Sequence, residues 1–265
     1  MDPAHGADAG ARVRGQIVVA KIEGVVTATP DSGGDKRTLH EGDVISDQYK
    51  VQTAVGALAI LAFSNGATID LSGDTVLDIQ QFEQDPFSGT IKASDMKAEP
   101  STSETRLNLV RGDLVTKVVH LNIDRGSEFV VNTAVGAAGI RGTTFRIIFR
   151  PAADGTATFS IVTSDGTVVF RGVTTGPVSI PKGHRISSTF TYTPPSTSYP
   201  DGTVTSPVVL SSTFATQTEI SSIQAASLTI VESLTNLELE TPAQAGASGQ
   251  TGSQPVNPTV VSGSH

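Results

Sequence analysis

Five histidines, His5, His40, His120, His184 and His265, are the residues best suited by type to hold a metal or move a proton. No two stand at a spacing that sets both imidazoles on one face of a strand or helix, so no metal or other cofactor is expected. Asp70, Asp74 and Asp78 recur every fourth residue. On one unbroken strand they would share a face and offer paired carboxylates. Gly73 interrupts the run, and turn or edge roles are the preferred reading. Gly136, Gly139 and Gly142 imitate a phosphate-cradling loop. That chemistry needs a helix directly after the loop, whereas β-branched residues follow here and no Walker lysine is in place. The Asp-Gly pairs at 154, 165 and 201 are too scattered for a calcium-binding solenoid. Serine is abundant, yet no Gly-x-Ser-x-Gly elbow occurs. No catalytic residue is assigned, and the chain is expected not to be an enzyme.

Arg141 is the residue of most interest. It stands between Gly139 and Gly142 in an apolar neighbourhood. The glycines permit a tight bend, and the guanidinium is a rigid fork that matches carbonyls or a carboxylate. Gly139, Arg141, Gly142 and Thr143 are therefore the candidate loop. Its first reading is structural, an arginine pinning the loop to the domain. Its second is partner binding.

The elements that must position this loop are short β runs separated by turn residues. Ile17–Ile22 and Val25–Thr29 come first, then Ala57–Phe63 and Ala67–Leu71 around Ser64-Asn65-Gly66, a strong hairpin signal of the type I′ class. Thr105–Val110, Leu114–Leu121 and Glu128–Asn132 follow. In Thr144–Arg150, Phe145, Ile147 and Phe149 share one face. Thr156–Thr163 and Thr167–Arg171 flank Ser164-Asp165-Gly166, read as a second hairpin. At least ten such strands predict an all-β domain, a twisted sandwich, barrel or solenoid-like array. Thr53-Ala54-Val55-Gly56-Ala57 recurs as Thr133-Ala134-Val135-Gly136-Ala137, which reads as one supersecondary unit used twice.

The expected layout is a flexible arm at 1–15, a β domain at 16–190 with a loop insertion at 84–104, and a Pro/Ser/Thr-rich connector at 191–216. A possible short helix at 217–240 and a disordered tail at 241–265 complete it. All 18 Lys and Arg precede residue 186, against 21 Asp and Glu, leaving -3; the last 80 residues hold five acids and no base, leaving -5. An acidic chain of this kind is a poor binder of nucleic acid. The 265 residues contain no cysteine, which excludes disulfides and thiolate chemistry. No apolar run reaches the ~20 residues of a membrane span. The first 15 residues lack the apolar segment of a signal peptide.

Three stretches in order resemble the FecR-like periplasmic domain family. The first runs from Val25-Val26 through Leu39-His40-Glu41-Gly42-Asp43-Val44-Ile45 to Val51-Gln52-Thr53. The second is Ala57–Phe63 with Ser64-Asn65-Gly66-Ala67 and Ile69-Asp70-Leu71. The third is Leu109-Val110-Arg111-Gly112-Asp113-Leu114, then Phe129-Val130-Val131-Asn132-Thr133 to Gly139-Ile140-Arg141-Gly142-Thr143-Thr144-Phe145. The resemblance covers about 17–190. It implies an all-β, partly solenoid-like fold, export to the periplasm or cell surface, and contact with another envelope protein. The chain looks most like a free-standing exported variant of the family. The expected function is a non-catalytic exported protein-binding or scaffold domain. The alternatives are a periplasmic signal-relay component of a sigma-factor regulatory system, or a carbohydrate-active enzyme on a β scaffold. Self-association through strand edges is a further expectation.

Overall fold

The computed structural model describes residues 12–173, 176–194, 202–206 and 208–240. Alternation of apolar and polar residues gives most runs one face for a core and one for solvent. In chain order the strands are β1 (Val13–Arg14), β2 (Ile17–Glu23), β3 (Val26–Pro30), β4 (Arg37–Thr38), β5 (Val44–Ile45), β6 (Tyr49–Thr53), β7 (Leu58–Phe63) and β8 (Thr68–Leu71). Next come β9 (Val76–Gln84), β10 (Ile91–Lys92), β11 (Ser103–Lys117), β12 (Glu128–Thr133), β13 (Gly136–Ile140), β14 (Thr144–Pro151) and β15 (Thr156–Asp165). The last are β16 (Thr167–Gly172), β17 (Pro177–Pro181), β18 (His184–Thr193), β19 (Thr203–Val204), β20 (Thr213–Phe214) and β21 (Glu238–Leu239), with one helix, α1 (Gln217–Ser233), before β21.

The hydrogen-bonded ladders define two large sheets, beside a separate β10–β21 pair and a short β18–β19 pairing. In the first, the order is β4-β3-β6-β9-β11-β12-β13-β16-β17, with β1 on the far end of β9. In the second, it is β5-β2-β7-β8-β11-β14-β15-β18-β20. Strand β11 belongs to both: Ser103–Arg111 lies in the first sheet and Gly112–Lys117 in the second. No ladder among the described residues joins the outer strands back together, so the sheets stay open. The fold is a twisted sandwich of short, mostly antiparallel strands with a helix, as the sequence leads one to expect. Phe63, Phe82, Phe129, Phe145, Phe149, Phe159 and Phe170 fill the space between the sheets, each with no more than 1% of its surface exposed. Phe63 meets Phe82 edge-on at 5.1 Å between ring centres, a favoured aromatic geometry.

Glycine corners carry the chain from sheet to sheet, and here three local expectations fail. Ser164-Asp165-Gly166 is not a hairpin. Both edges of β15 are taken by β14 and β18, so β16 must cross to the other sheet and pair with β13 and β17. The two copies of Thr-Ala-Val-Gly-Ala do not form one repeated unit. The first turns the chain from β6 in one sheet to β7 in the other; the second is a hairpin between β12 and β13 within one sheet. The Asn65-Gly66 hairpin does form, joining β7 to β8, but only Gly66 has positive φ, at 87°. It is a three-residue loop closed by glycine and not the type I′ turn, which needs positive φ twice.

The segment read as a loop insertion at 84–104 carries β10 and a 3-10 turn, Ala93–Asp95. Buried polar groups fasten it. Glu99, 5% exposed, accepts hydrogen bonds from the Ser103 hydroxyl at 2.7 Å, the Asn122 N–H and the Ser127 hydroxyl. Asn65 donates to the hydroxyls of Ser103 and Thr105, which ties the β7–β8 hairpin to the same network. Within the span read as an arm, Val13 and Arg14 already pair with β9. The proposed tail at 241–265 lies outside the described residues.

Helix α1 begins with a capping box: the Thr216 hydroxyl accepts from the Glu219 N–H, and Glu219 reaches back to the Thr216 N–H. That Thr-x-x-Glu signal outweighs the β-branched Thr229-Ile230-Val231. The helix buries Ile223 against Val115 and Val162, and Ile230 and Leu234 against Val18, Ile60 and Ala62, on the outer face of the second sheet. It also covers charge. Arg146 forks onto the Asp113 carboxylate and donates to the Ser222 hydroxyl of α1 at 3.0 Å. Arg185 reaches Glu219 at 2.7 Å.

Asp70, 4% exposed, lies next to Asp113 and Arg146, with Lys21 and Glu23 also acting on it. Burial, and then the Asp113 charge, push its carboxyl up to about 6. An acid whose pKa rises on folding stabilises the fold while protonated, and that advantage is lost as pH climbs from the ordinary carboxylate range through 6. Asp70→Asn should therefore raise stability at pH 7.5 by on the order of 1–2 kcal/mol, with the gain vanishing near pH 4. Thermal melts of both proteins at the two pH values check this; an equal gain at both would refute it.

Candidate functional site

The loop singled out in the sequence is the corner where β13 leaves the first sheet and β14 enters the second. Ile140 is buried and pairs with Val168. Gly142 has φ 81°, a conformation open to glycine at little cost, and a Cβ there would stand 3.3 Å from the His120 Cα. Thr143 is buried, donates to the Thr167 carbonyl at 3.2 Å, and its carbonyl accepts from the Val118 N–H at 3.0 Å. Gly142 and Thr143 thus build the corner. Arg141 does not pin it. Its side chain is exposed and makes no hydrogen bond or ion pair among the described residues. The corner holds the guanidinium out instead of using it.

Gly139 lies elsewhere in function. It sits on the outward face of β13, beside Ala137 two residues back. Across the ladder Gly139 faces Val130 of β12 and Val169 of β16, and Ala137 faces Asn132 and Arg171. Larger side chains on both flanks and almost none on β13 leave a trough. Two grooves of about 600 Å³ each meet there. They share Asn132, Ala137 and Arg171, and Arg141 stands at one end. Val130, Val169 and Arg171 are members that sequence reasoning missed; the outward small residues of Gly-Ala-Ala-Gly-Ile were the one available clue.

The charges around the trough are unequal in their partnerships. Arg106 is held by Glu104 and Glu128, at 2.9 Å to each. Arg125, Arg141 and Arg171 make no ion pair among the described residues; Asp124, likewise without one, lines a groove with Arg125 and Arg141. At the far end Asp78 lies near Lys50; burial first, and then Asp31, raise its carboxyl. Asp70, Asp74 and Asp78 do not share a face: Asp70 is in the second sheet, Asp78 in the first, and Asp74 is in the corner between them, where it pairs with Arg111 and Arg150. No cluster of three His, Asp or Glu suited to a metal occurs among the described residues. No helix there is long and apolar enough to cross a membrane.

Residues 49–169, from β6 into β16 and including the Arg141 corner, match the family model described as FecR protein. The chain carries a FecR-like domain. That domain places it in the periplasm or at the cell surface. No curated protein matches the chain. Two crystal structures of a candidate anti-sigma factor from Parabacteroides distasonis ATCC 8503 align with 65% of it, at 10% identity and a TM-score of 0.42. The aligned part spans 62% of that protein's length.

Proposed function

We propose that this FecR-like chain is a non-catalytic relay component of the cell envelope, which passes on a signal by binding a protein partner on the face that carries Arg141. The observation that carries the reading is the corner itself. Two residues of the family-matched loop are spent on fixing its backbone, and the one they display is a fully charged, unpaired guanidinium. A guanidinium left in water gains nothing for the fold, whereas at an interface its planar fork can engage a carboxylate with two hydrogen bonds. The family match favours relay over a bare exported scaffold.

The test is affinity capture from native envelope extract with the unaltered chain and with Arg141→Ala. The variant should keep its circular dichroism spectrum, because Arg141 supports nothing in the fold, and should lose a specific protein. An unchanged set of captured proteins would remove Arg141 from the interface. A captured protein that belongs to a sigma-factor system would establish the relay; one outside any regulatory system would establish the scaffold.

A further inference from the structure

Gly139 has no conformational reason to be glycine. It does not have positive φ, and a Cβ built on it meets only the Val169 carbonyl oxygen, at 3.7 Å, an ordinary contact. Glycine inside a strand weakens it and marks a bulge, a tight bend or a close approach; the unbroken registers with β12 and β16 at Gly139 point to the last. Gly136 contrasts with it, at φ 152° and with a Cβ position 2.2 Å from the Arg171 carbonyl oxygen. The trough floor is thus kept open at a site where the fold would accept a larger residue.

We infer that the trough over β13 binds an extended acidic peptide segment of the partner, with acidic side chains four residues apart and an apolar side chain midway. This rests on the protein-binding reading above and specifies its ligand. The spacing follows from register. Arg171 lies level with Ala137, the Val130–Gly139–Val169 row is two residues further on, and Arg141 is two beyond that. Strand residues two apart point to the same side at ~6.6 Å spacing, so the backbone positions that carry the two guanidiniums are ~13 Å apart along β13. An extended peptide laid along the strand presents residues i, i+2 and i+4 to the sheet with the same period. A carboxylate at i meets Arg171, an apolar side chain at i+2 drops onto Gly139 between Val130 and Val169, and a carboxylate at i+4 meets Arg141. Neither arginine makes an ion pair among the described residues, which leaves both guanidiniums available to carboxylates of a ligand.

The probe is a fluorescein-labelled peptide with glutamates at i and i+4 and leucine at i+2, titrated into the full chain and read by fluorescence anisotropy. Saturable binding is expected. It should weaken about tenfold with Arg141→Gln or Arg171→Gln, and fall as salt is raised from 50 to 500 mM. Gly139→Val should abolish it while leaving the melting temperature unchanged or higher, because valine suits a strand and fills the floor. Equal binding of a peptide with the glutamates moved to i and i+3, or unaltered binding by Gly139→Val, would overturn the inference. A dimer in sedimentation that Arg171→Gln abolishes would assign the trough to a second copy and overturn it too. If the peptide fails while Arg141→Ala still loses a captured envelope protein, the ligand class is wrong and the protein-binding reading stands; if both fail, that reading falls with it.

Discussion

Gly112→Ala should be a severely damaging single-methyl change, costing about 4 kcal/mol or preventing folding altogether. Gly112 lies where β11 passes from one sheet to the other, at φ 119°. Strain of a side chain in that region costs about 1–3 kcal/mol. The added Cβ would also lie 2.5 Å from the Thr75 Cα and 2.3 Å from its hydroxyl oxygen, and overpacking of this kind costs about 1–3 kcal/mol more. Thr75 cannot yield. Its hydroxyl donates to the Asp113 carbonyl and accepts from the Asp113 N–H, and its own N–H is held by the Thr53 hydroxyl at 2.9 Å. Urea unfolding measures the loss. A cost within 1 kcal/mol of the unaltered chain would show that β9 and β11 can part at this point, and that the crossing is not rigid.

Glu99→Ala should cost on the order of 3 kcal/mol. The carboxylate is the common acceptor for two hydroxyls and one backbone N–H from three separate places in the chain. Each hydrogen bond to a carboxylate contributes about 1.5–3 kcal/mol, partly offset by relief of burying the polar group, and the Ser103 and Ser127 hydroxyls left behind are themselves buried. Glu99→Gln keeps the shape and one acceptor oxygen and should lose roughly half as much. Parallel urea titrations decide it: equal losses for the two variants would mean that the side chain acts through packing alone. Because the network reaches Asn65, local loosening should appear by hydrogen exchange in the β7–β8 hairpin as well as around 99–103.

The strands were legible because their periodicity is local. Phe145, Ile147 and Phe149 alternate with Arg146, Ile148 and Arg150, and the structure buries the first three completely. The sheet assignment was not legible. Ser164-Asp165-Gly166 has the composition of a hairpin turn, and nothing in it reveals that both edges of β15 are already taken. The two identical pentapeptides make the same point: turn chemistry permits both outcomes, and partners elsewhere choose. The helix was half legible, since its capping box lies in plain sight at Thr216 and Glu219. For the site, the glycines drew attention to Arg141, yet the walls of the trough come from β12 and β16, and outward-facing Val130 and Val169 look like any strand residue. Likewise Asp70 and Asp113, 43 positions apart, become neighbours only because β8 pairs with β11.

The shared strand also governs when the domain can form. β11 needs β8 and β9, which precede it, and β12 and β14, which follow it, before either sheet is continuous. No early stretch of chain can therefore complete a sheet and wait for the rest. Topologies dominated by such distant pairings fold slowly, on the order of milliseconds to seconds. Neither sheet can become continuous until β11 has met partners from both halves of the chain.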